Sequence, residues 1–375
     1  MTSPRQADQL VIGGGPAGAM LALRLAAAGR EVTLLEKERA AHHKVCGEFL
    51  SSEAVAYLRG AGIDALSLGA AAIRIVRLAA GSRLTEASLP FTALSLSRCL
   101  LDQALLVRAA EAGCNVVRGA RVESLTVRNH LWEAKVPDGG LWRSPTVFLA
   151  SGKHDLAGFE RTRTRHANLV AFKLHWRLAD PQTEALCNAI EIFLFTGGYG
   201  GLSLVEDNIA NLCLVARRPR LREVSGWAGL LASILEENRH VRDRLHHAKP
   251  LWTRPLAIFP IPYGYLAPPA QGIWRLGDQA AVIPSFTGDG VSIALHSGAL
   301  AARMYLAGAS AEEFHFNLHR QLRRSMRISM QISGAMISTA GRAIAPRLLS
   351  LAPHAIGWIA GSTRIPGHAL APLAK

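Results

Sequence analysis

Solid apolar runs dominate the start of the chain and alternating ones its middle, and the two patterns predict different elements. Gln9 to Ile12 is a short apolar run that reads as a buried strand, followed by GGGPAG. Ala19 to Ala28 is an unbroken run of helix formers ended by Gly29, and EVTLLE then reads as a second strand. From Leu96, SRCLLDQALLVRAAEAGCNVVRGARVESL reads as a long helix stopped by Gly113 and two short strands, and TVFLASG as a further strand. Between Val170 and Val215 the pattern turns strand-like, with KLHWRL, IEIFLF and NLCLVA separated by GGYGG and EDN, which predicts an antiparallel sheet. The α/β pattern returns at GIWRLGDQAAVIPSFTGDGVSIALHSGALAARMYLAG, where Gly277 and Asp278 end a strand and Gly288 to Gly290 precede an apolar helix. From Ser310 the chain reads as helical and basic.

The first of these units carries chemistry. Strand, glycine turn, helix and strand fill about 30 residues, with an acidic residue about 20 positions past the glycines, as a dinucleotide-binding unit requires. Gly13 permits the tight turn, Gly15 lets backbone approach a pyrophosphate, and Gly18 lets helix and strand pack closely. Pro16 and Ala17 open the helix, whose free N–H groups and positive dipole end face the phosphates. Glu36, ending the second strand, is placed to accept hydrogen bonds from a ribose, with Lys37 beside it. The GGYGG run, Gly197 to Gly201, does not lie between a strand and a helix and so is not a second fingerprint; it reads either as a close approach to a ligand or as a plain hairpin turn. With no second nucleotide fold, a nicotinamide reductant would dock transiently.

Composition narrows the classes. A chain of 375 residues, 49% hydrophobic, can bury a large core. Five scattered cysteines without ligand spacing indicate neither a disulfide framework nor a metal site and fit a reducing cytoplasm. The N-terminus shows no export signal. The longest uncharged run, 255–274, is broken by five prolines, so no spanning helix is expected. A net charge of +14 suits an anionic partner, but the basic residues lack the aromatic interleaving of a nucleic-acid reader. In FNLHRQLRRSMRISMQISGAMI, Arg320, Arg323, Arg324 and Arg327 recur at helical spacing, with Leu318, Leu322, Met326 and Met330 on another side. Such a face suits an acidic carrier protein or an anionic membrane surface, and a solvated helix is the plainer reading.

Four blocks in one order, VIGGGPAGAMLALRLAAAGREVTLLEKE, SRCLLDQAL, ASGKHDLAG and WRLGDQAAVIPSFTGDGVSIALHSGALAA, resemble FAD-dependent oxidoreductases of the geranylgeranyl reductase-like group, within the p-hydroxybenzoate hydroxylase type of flavoprotein. The resemblance spans residues 8 to 307. It implies an α/β fold: a discontinuous Rossmann-like (GR2-type) FAD-binding domain of 1–75, 96–165 and 272–308, an inserted antiparallel substrate sheet of 76–95 and 166–271, and a helical region of 309–375. It implies that Gly13, Gly15, Gly18 and Glu36 hold the ADP half of FAD, that Arg98 lies along the cofactor and that Asp278 meets its ribose or ribityl hydroxyls. Thr287 to Val291, with Gly288 and Gly290, would lie at the flavin pyrimidine edge. Related halogenases carry a WxWxIP-type motif and a catalytic lysine, which this chain lacks between Lys44 and Lys135, and its GDGVSIALHSGALAA departs from the hydroxylases' form.

In the group a Cys-Gly pair stands beside the flavin, which makes Cys46 of HHKVCGEFLSSE a candidate proton donor. Lys44 and the two histidines, if close, would tune the thiol. A small buried thiol is the alternative. Glu48 and His43 are further proton-delivery candidates. The segment PLAIFPIPYGYLAPPAQ, with Trp252, Phe259, Tyr263 and Tyr265, reads as an apolar wall for a hydrophobic substrate or as domain core. The reading is an FAD enzyme that uses NADPH or NADH and passes hydride to a C=C of a prenyl, lipid or polyketide metabolite. It is cytoplasmic, or peripheral to the inner membrane face. The alternatives are a monooxygenase acting on an aromatic or polyketide ring and a flavin-carrying electron-transfer or binding component.

Overall fold

Alternation within each short strand sets the first layer. The computed structural model describes residues 4–137, 140–162, 168–269, 272–339, 341, 344 and 354–370. Five parallel strands stand in the order Ile273–Arg275, Thr146–Leu149, Gln9–Ile12, Val32–Glu36 and Asn115–Arg118. Val11, Leu34, Phe148 and Trp274 point to one face, where helices Pro16–Ala27, Arg98–Glu111 and Gly290–Leu306 cover them. Leu10, Ile12, Leu35, Val147 and Leu149 point to the other, against a small sheet that includes Ser124–Arg128, Leu131–Val136 and Gly140–Ser144. A parallel strand covered on both faces must be apolar throughout, which is why these segments read as solid runs.

The second large sheet is nine-stranded and mostly antiparallel. Leu169–Arg177, Ala210–Arg217, Gly198–Leu204 and Ala189–Phe195 form its centre; Ala71–Ala80 pairs in parallel with Ala189–Phe195 and antiparallel with Arg83–Ser95. Phe49–Leu50, from the loop after the second parallel strand, adds to its edge. Phe172, Leu174, Trp176, Leu212 and Leu214 face a layer of helices that includes Trp227–Glu237 and Arg239–Leu245. The opposite face looks toward the parallel-sheet domain, and its character changes along the strands. Leu169, Ala171, Tyr199 and Val215 make one end apolar, while Lys173, His175, Asn211 and Ser203 make the other polar.

Helix Ala311–Ile337 straps the two parts together. Ser310 and Glu313 form a reciprocal cap at its start. Phe314 stacks on Trp274 in the parallel-sheet domain, and Met330, Met336 and Ile337 join the apolar cluster of Tyr199, Tyr263 and Tyr265. Helix His354–Ser362 lies against strand Arg83–Ser95, and Arg364 returns to the core, its guanidinium 4.4 Å from the Phe91 ring centroid. No helix among the described residues is long and apolar enough to cross a membrane.

Candidate functional site

The glycine turn leaves no room for side chains at Gly13 and Gly18, where the chain packs on its own backbone. Gly13 has φ +107°, and a Cβ there would sit 2.4 Å from the Ala150 carbonyl oxygen; one on Gly18 would sit 2.0 Å from the Gly13 oxygen. Helix Pro16–Ala27 starts at Gly15 without a side-chain cap, so its first N–H groups are left to an anion. Buried Glu36 accepts the Gly14 N–H at 2.7 Å and the Glu38 N–H at 3.0 Å. A carboxylate has about four acceptor positions, so two remain for ribose hydroxyls. The adjoining cleft is lined by Gly14, Glu36, Ala40, Lys44, Gln103 and Arg118. Lys37 is exposed and pairs with Glu38 at 3.7 Å, on the outside of this cleft's carboxylate.

The cradle continues on two further elements. Arg98, at the start of its helix, makes two bonds to Asp102, at 2.7 and 2.8 Å, and its Nη2 is 3.5 Å from where a Gly15 Cβ would stand. Burial opposes the Arg98 charge, but Asp102 outweighs it and holds the guanidinium more firmly protonated than usual. Burial likewise pushes Asp102 up, and Arg98 and Lys44 together bring it below the ordinary carboxylate range. Asp278 lies half-buried in the turn Gly277–Gln279, its carbonyl accepting from Arg161 at 2.9 Å. Gly288 has φ +72°, and a Cβ there would lie 2.4 Å from the Phe49 ring. Helix Gly290–Leu306, with Val291 in its first turn, also begins without a side-chain cap. Asp289, just before it, pairs with Arg364 at 2.6 Å; burial, partly offset by Arg364, pushes its carboxyl up to about 6. Two uncapped helix starts, three glycines without space for a Cβ and an acceptor at the strand end fit FAD.

Between this cradle and the sheet lies the loop of Cys46. The Cys46 sulfur accepts the Glu48 N–H at 3.3 Å, and its carbonyl accepts from Asn211 at 3.2 Å. Lys153 holds the Val45 carbonyl at 2.8 Å. The neighbouring Cys213 thiol is pushed up to about 12 by burial and then by Cys46. Lys44 is bound to Asp102 at 2.9 Å and His42 to the Ala40 carbonyl at 3.3 Å, so these two residues turn to partners other than the thiol.

Glu48 is the centre of the loop. It is fully buried with φ +59°, a left-handed conformation that costs a non-glycine residue about 1 kcal/mol or more. Its carboxylate accepts from the Arg98 N–H at 2.7 Å, from His175 Nε2 at 2.9 Å and from the ammonium of Lys173, itself fully buried. Burial pushes Glu48 up, but the His175 hydrogen bond and the Lys173 charge outweigh it, and the carboxyl stays below its ordinary value. His43 sits with its ring 4.8 Å from His175 and 4.9 Å from Trp252, while His175 stacks on Trp252. Burial, then the Lys173 and His175 charges, lower the His43 pKa and favour the neutral ring. Ligand atoms of His43, Glu48 and His175 lie within 4.8 Å of one another. The Lys173 ammonium is the cation this group already has.

Cys46, Glu48 and His43, read from one stretch, therefore share one neighbourhood, but Glu48 is no solvated loop residue. Lys173 and His175 were not expected. The signal was present as a lysine and a histidine two apart in the apolar strand LVAFKLHWR, which sends both to one face. The aromatic wall divides: Tyr263 and Tyr265 are buried, with Tyr263 donating to Ser285 at 2.8 Å, but Phe259 is 44% exposed and Trp252 belongs with the histidines. The GGYGG glycines serve the sheet itself. Cβ atoms on Gly198 and Gly200 would meet the rings of Phe195 and Phe193 at 2.5 and 2.2 Å.

Comparison with known proteins agrees with this geometry. Residues 6–140 match the FAD binding domain family. The chain is 24% identical over 318 residues to the menaquinone reductase of Mycolicibacterium smegmatis, covering 81% of this chain and 77% of that one. It is 24% identical over 319 residues to the menaquinone reductase of Mycobacterium tuberculosis, covering 81% and 78%. Among solved structures, a geranylgeranyl bacteriochlorophyll reductase-like protein from Thermoplasma acidophilum superposes with a TM-score of 0.76 at 18% identity, over 98% of this chain and 95% of that one. A myxobacterial chondrochloren halogenase does so with 0.76 at 20% identity, over 99% and 96%. The structural likenesses speak for the fold.

Proposed function

We propose that this chain is an FAD-dependent oxidoreductase that reduces a carbon–carbon double bond in a hydrophobic metabolite, a reading supported by the match of residues 6–140 to the FAD binding domain family and by the fold. The observation that supports this most is the position of the Cys46 loop. It lies opposite a sheet face that is apolar at one end and polar at the other. The apolar end suits a prenyl, lipid or polyketide chain, and the name of two relatives favours a quinone-bearing lipid.

Bound FAD, once reduced, supplies a hydride. The chain's residues do the rest. The N–H groups at the start of helix Gly290–Leu306, which no side chain caps, would stabilise negative charge on a bound, reduced flavin. Cys46 gives its proton to the second carbon of the double bond, and Glu48 holds the sulfur in place through its backbone N–H. Water returns the proton to the thiol, so the substrate gains one hydride and one proton. NADPH or NADH is the transient reductant. Five free cysteines suit the cytoplasm, and the basic helix suits its membrane face or an acidic carrier.

Turnover without oxygen tests the reading. FAD-loaded chain, NADPH and a polyprenyl quinone should yield a product that stays heavier by two hydrogens after its quinol ring has been reoxidised to the quinone. A product formed only with oxygen, and heavier by one oxygen atom, would establish the monooxygenase alternative instead.

A further inference from the structure

The positive charge of this chain is concentrated at one end. After Glu313 there is no Asp or Glu, while the same stretch holds seven arginines and a lysine. Four of them, Arg320, Arg323, Arg324 and Arg327, are exposed on one stripe of helix Ala311–Ile337. Arg320 donates to Asn317 at 3.2 Å, and among the described residues none of the four has a carboxylate in ion-pair reach. Phe316, one turn earlier on the stripe, is 59% exposed, with Glu312 and Glu313 marking the stripe's acidic start.

The other side of the helix is committed to the protein. Leu318, Leu322 and Met326 are buried in the parallel-sheet domain's core. Met330, Met336 and Ile337 close the apolar cluster around Tyr263 and Tyr265. One helix thus carries a cationic face outside and packs into the apolar cluster of Tyr263 and Tyr265 inside.

We propose that this arginine stripe docks on the surface of an anionic lipid bilayer. The inference rests on the reading that the substrate is a hydrophobic metabolite, because a bilayer is where such a molecule dissolves. Like charges on adjacent turns repel one another, and anionic headgroups remove that repulsion. Phe316 supplies an aromatic ring at headgroup depth. A bilayer fits better than an acidic protein because the acid-free stretch continues into 328–363, where Arg342 and Arg347 are the only charges in an apolar sequence. No described helix can span, so the contact is with the surface.

The test is co-sedimentation of the FAD-loaded full chain with vesicles of phosphatidylcholine alone and of phosphatidylcholine mixed with phosphatidylglycerol. Binding should appear only with phosphatidylglycerol and fall as salt rises. Each Arg→Gln change at 320, 323, 324 or 327 should weaken it about fivefold, which is about 1 kcal/mol near the surface. Phe316→Ala should weaken it further. These exposed positions should leave FAD content unchanged, which shows that the variants fold. Equal binding to both vesicles, no binding to either, or undiminished binding by the quadruple variant would overturn the proposal, as would capture by an acidic protein with no vesicle binding. Vesicle binding is read without substrate, so double-bond reduction by a chain that ignores vesicles would refute the docking alone.

Discussion

Lys173 and Glu48 form an ion pair in which neither side chain is exposed to solvent. Lys173 comes from the nine-stranded sheet and Glu48 from the loop between that sheet and the glycine turn, so the pair ties the two together. Two charges brought together out of water stabilise little by themselves, but removing one leaves the other buried and uncompensated. Lys173→Met should cost about 3–5 kcal/mol in urea unfolding. Lys173→Met with Glu48→Gln should recover most of that, since no charge is then stranded. An equal loss in the double variant would show that packing, and not charge, is what Lys173 provides.

Acid should act on the same pair in a defined direction. The folded pKa of Glu48 lies below its ordinary 4.5, so the unfolded chain binds the proton first. Its contribution to stability is full above 4.5 and is lost as pH falls through the folded value. Glu48→Gln should flatten that part of the acid-unfolding curve. An unchanged curve would mean that other carboxylates set the acid limit.

Asp289 titrates with the opposite sign. Its carboxyl stands at about 6 in the folded protein against an ordinary 3.8. The folded chain therefore holds a proton that the unfolded one has released, and this contribution is full below 3.8 and lost as pH rises through about 6. The difference in stability between the protein and Asp289→Asn should change by roughly 3 kcal/mol at most across that window. Arg364→Met removes the opposing charge and should move the transition to higher pH. FAD affinity measured over the same range should follow it, because Asp289 precedes the helix start assigned to the pyrimidine edge.

The parts of the fold legible in the sequence are those governed by short periods. Gln9–Ile12, Pro16–Ala27, Val32–Glu36 and Gly290–Leu306 fall where apolar runs and glycine punctuation put them. The candidate site was legible only where its residues lie close in sequence, as Cys46 and Glu48 do. Lys173 and His175 lie more than a hundred residues away, and nothing local says that their strand packs its polar end against that loop. The burial of Glu48 was hidden for the same reason. A glutamate in a loop is ordinarily solvated, and only the buried lysine and histidine across the interface explain why this one is not.

Gly13 offers a direct check on the cofactor cradle. An Ala there would need a left-handed backbone and a Cβ 2.4 Å from the Ala150 oxygen, and that oxygen belongs to backbone that cannot swing away. Gly13→Ala should lose FAD on gel filtration and lower stability by about 1–3 kcal/mol. Gly361→Ala, at an exposed position of helix His354–Ser362 with nothing within 4 Å of its Cβ, should retain the cofactor. Equal retention by both would remove the glycine turn from the binding site.

Cys46 separates proton donation from packing. Its sulfur accepts the Glu48 N–H at 3.3 Å and also interacts with the Arg98 guanidinium, contacts in which it is acceptor and not donor. Ser keeps a donor in that place and Ala removes it. A thiol that protonates substrate contributes through the proton it supplies in the transition state, so Cys46→Ala should lower kcat by about a hundredfold while FAD stays bound and flavin reduction by NADPH keeps its rate. Cys46→Ser should retain more of the activity, and the pH dependence of kcat should change, since a hydroxyl and a thiol ionise in different ranges. If Ala and Ser reduce kcat alike, without any change in the pH profile, Cys46 is a small side chain in a tight loop and the proton reaches the substrate from water.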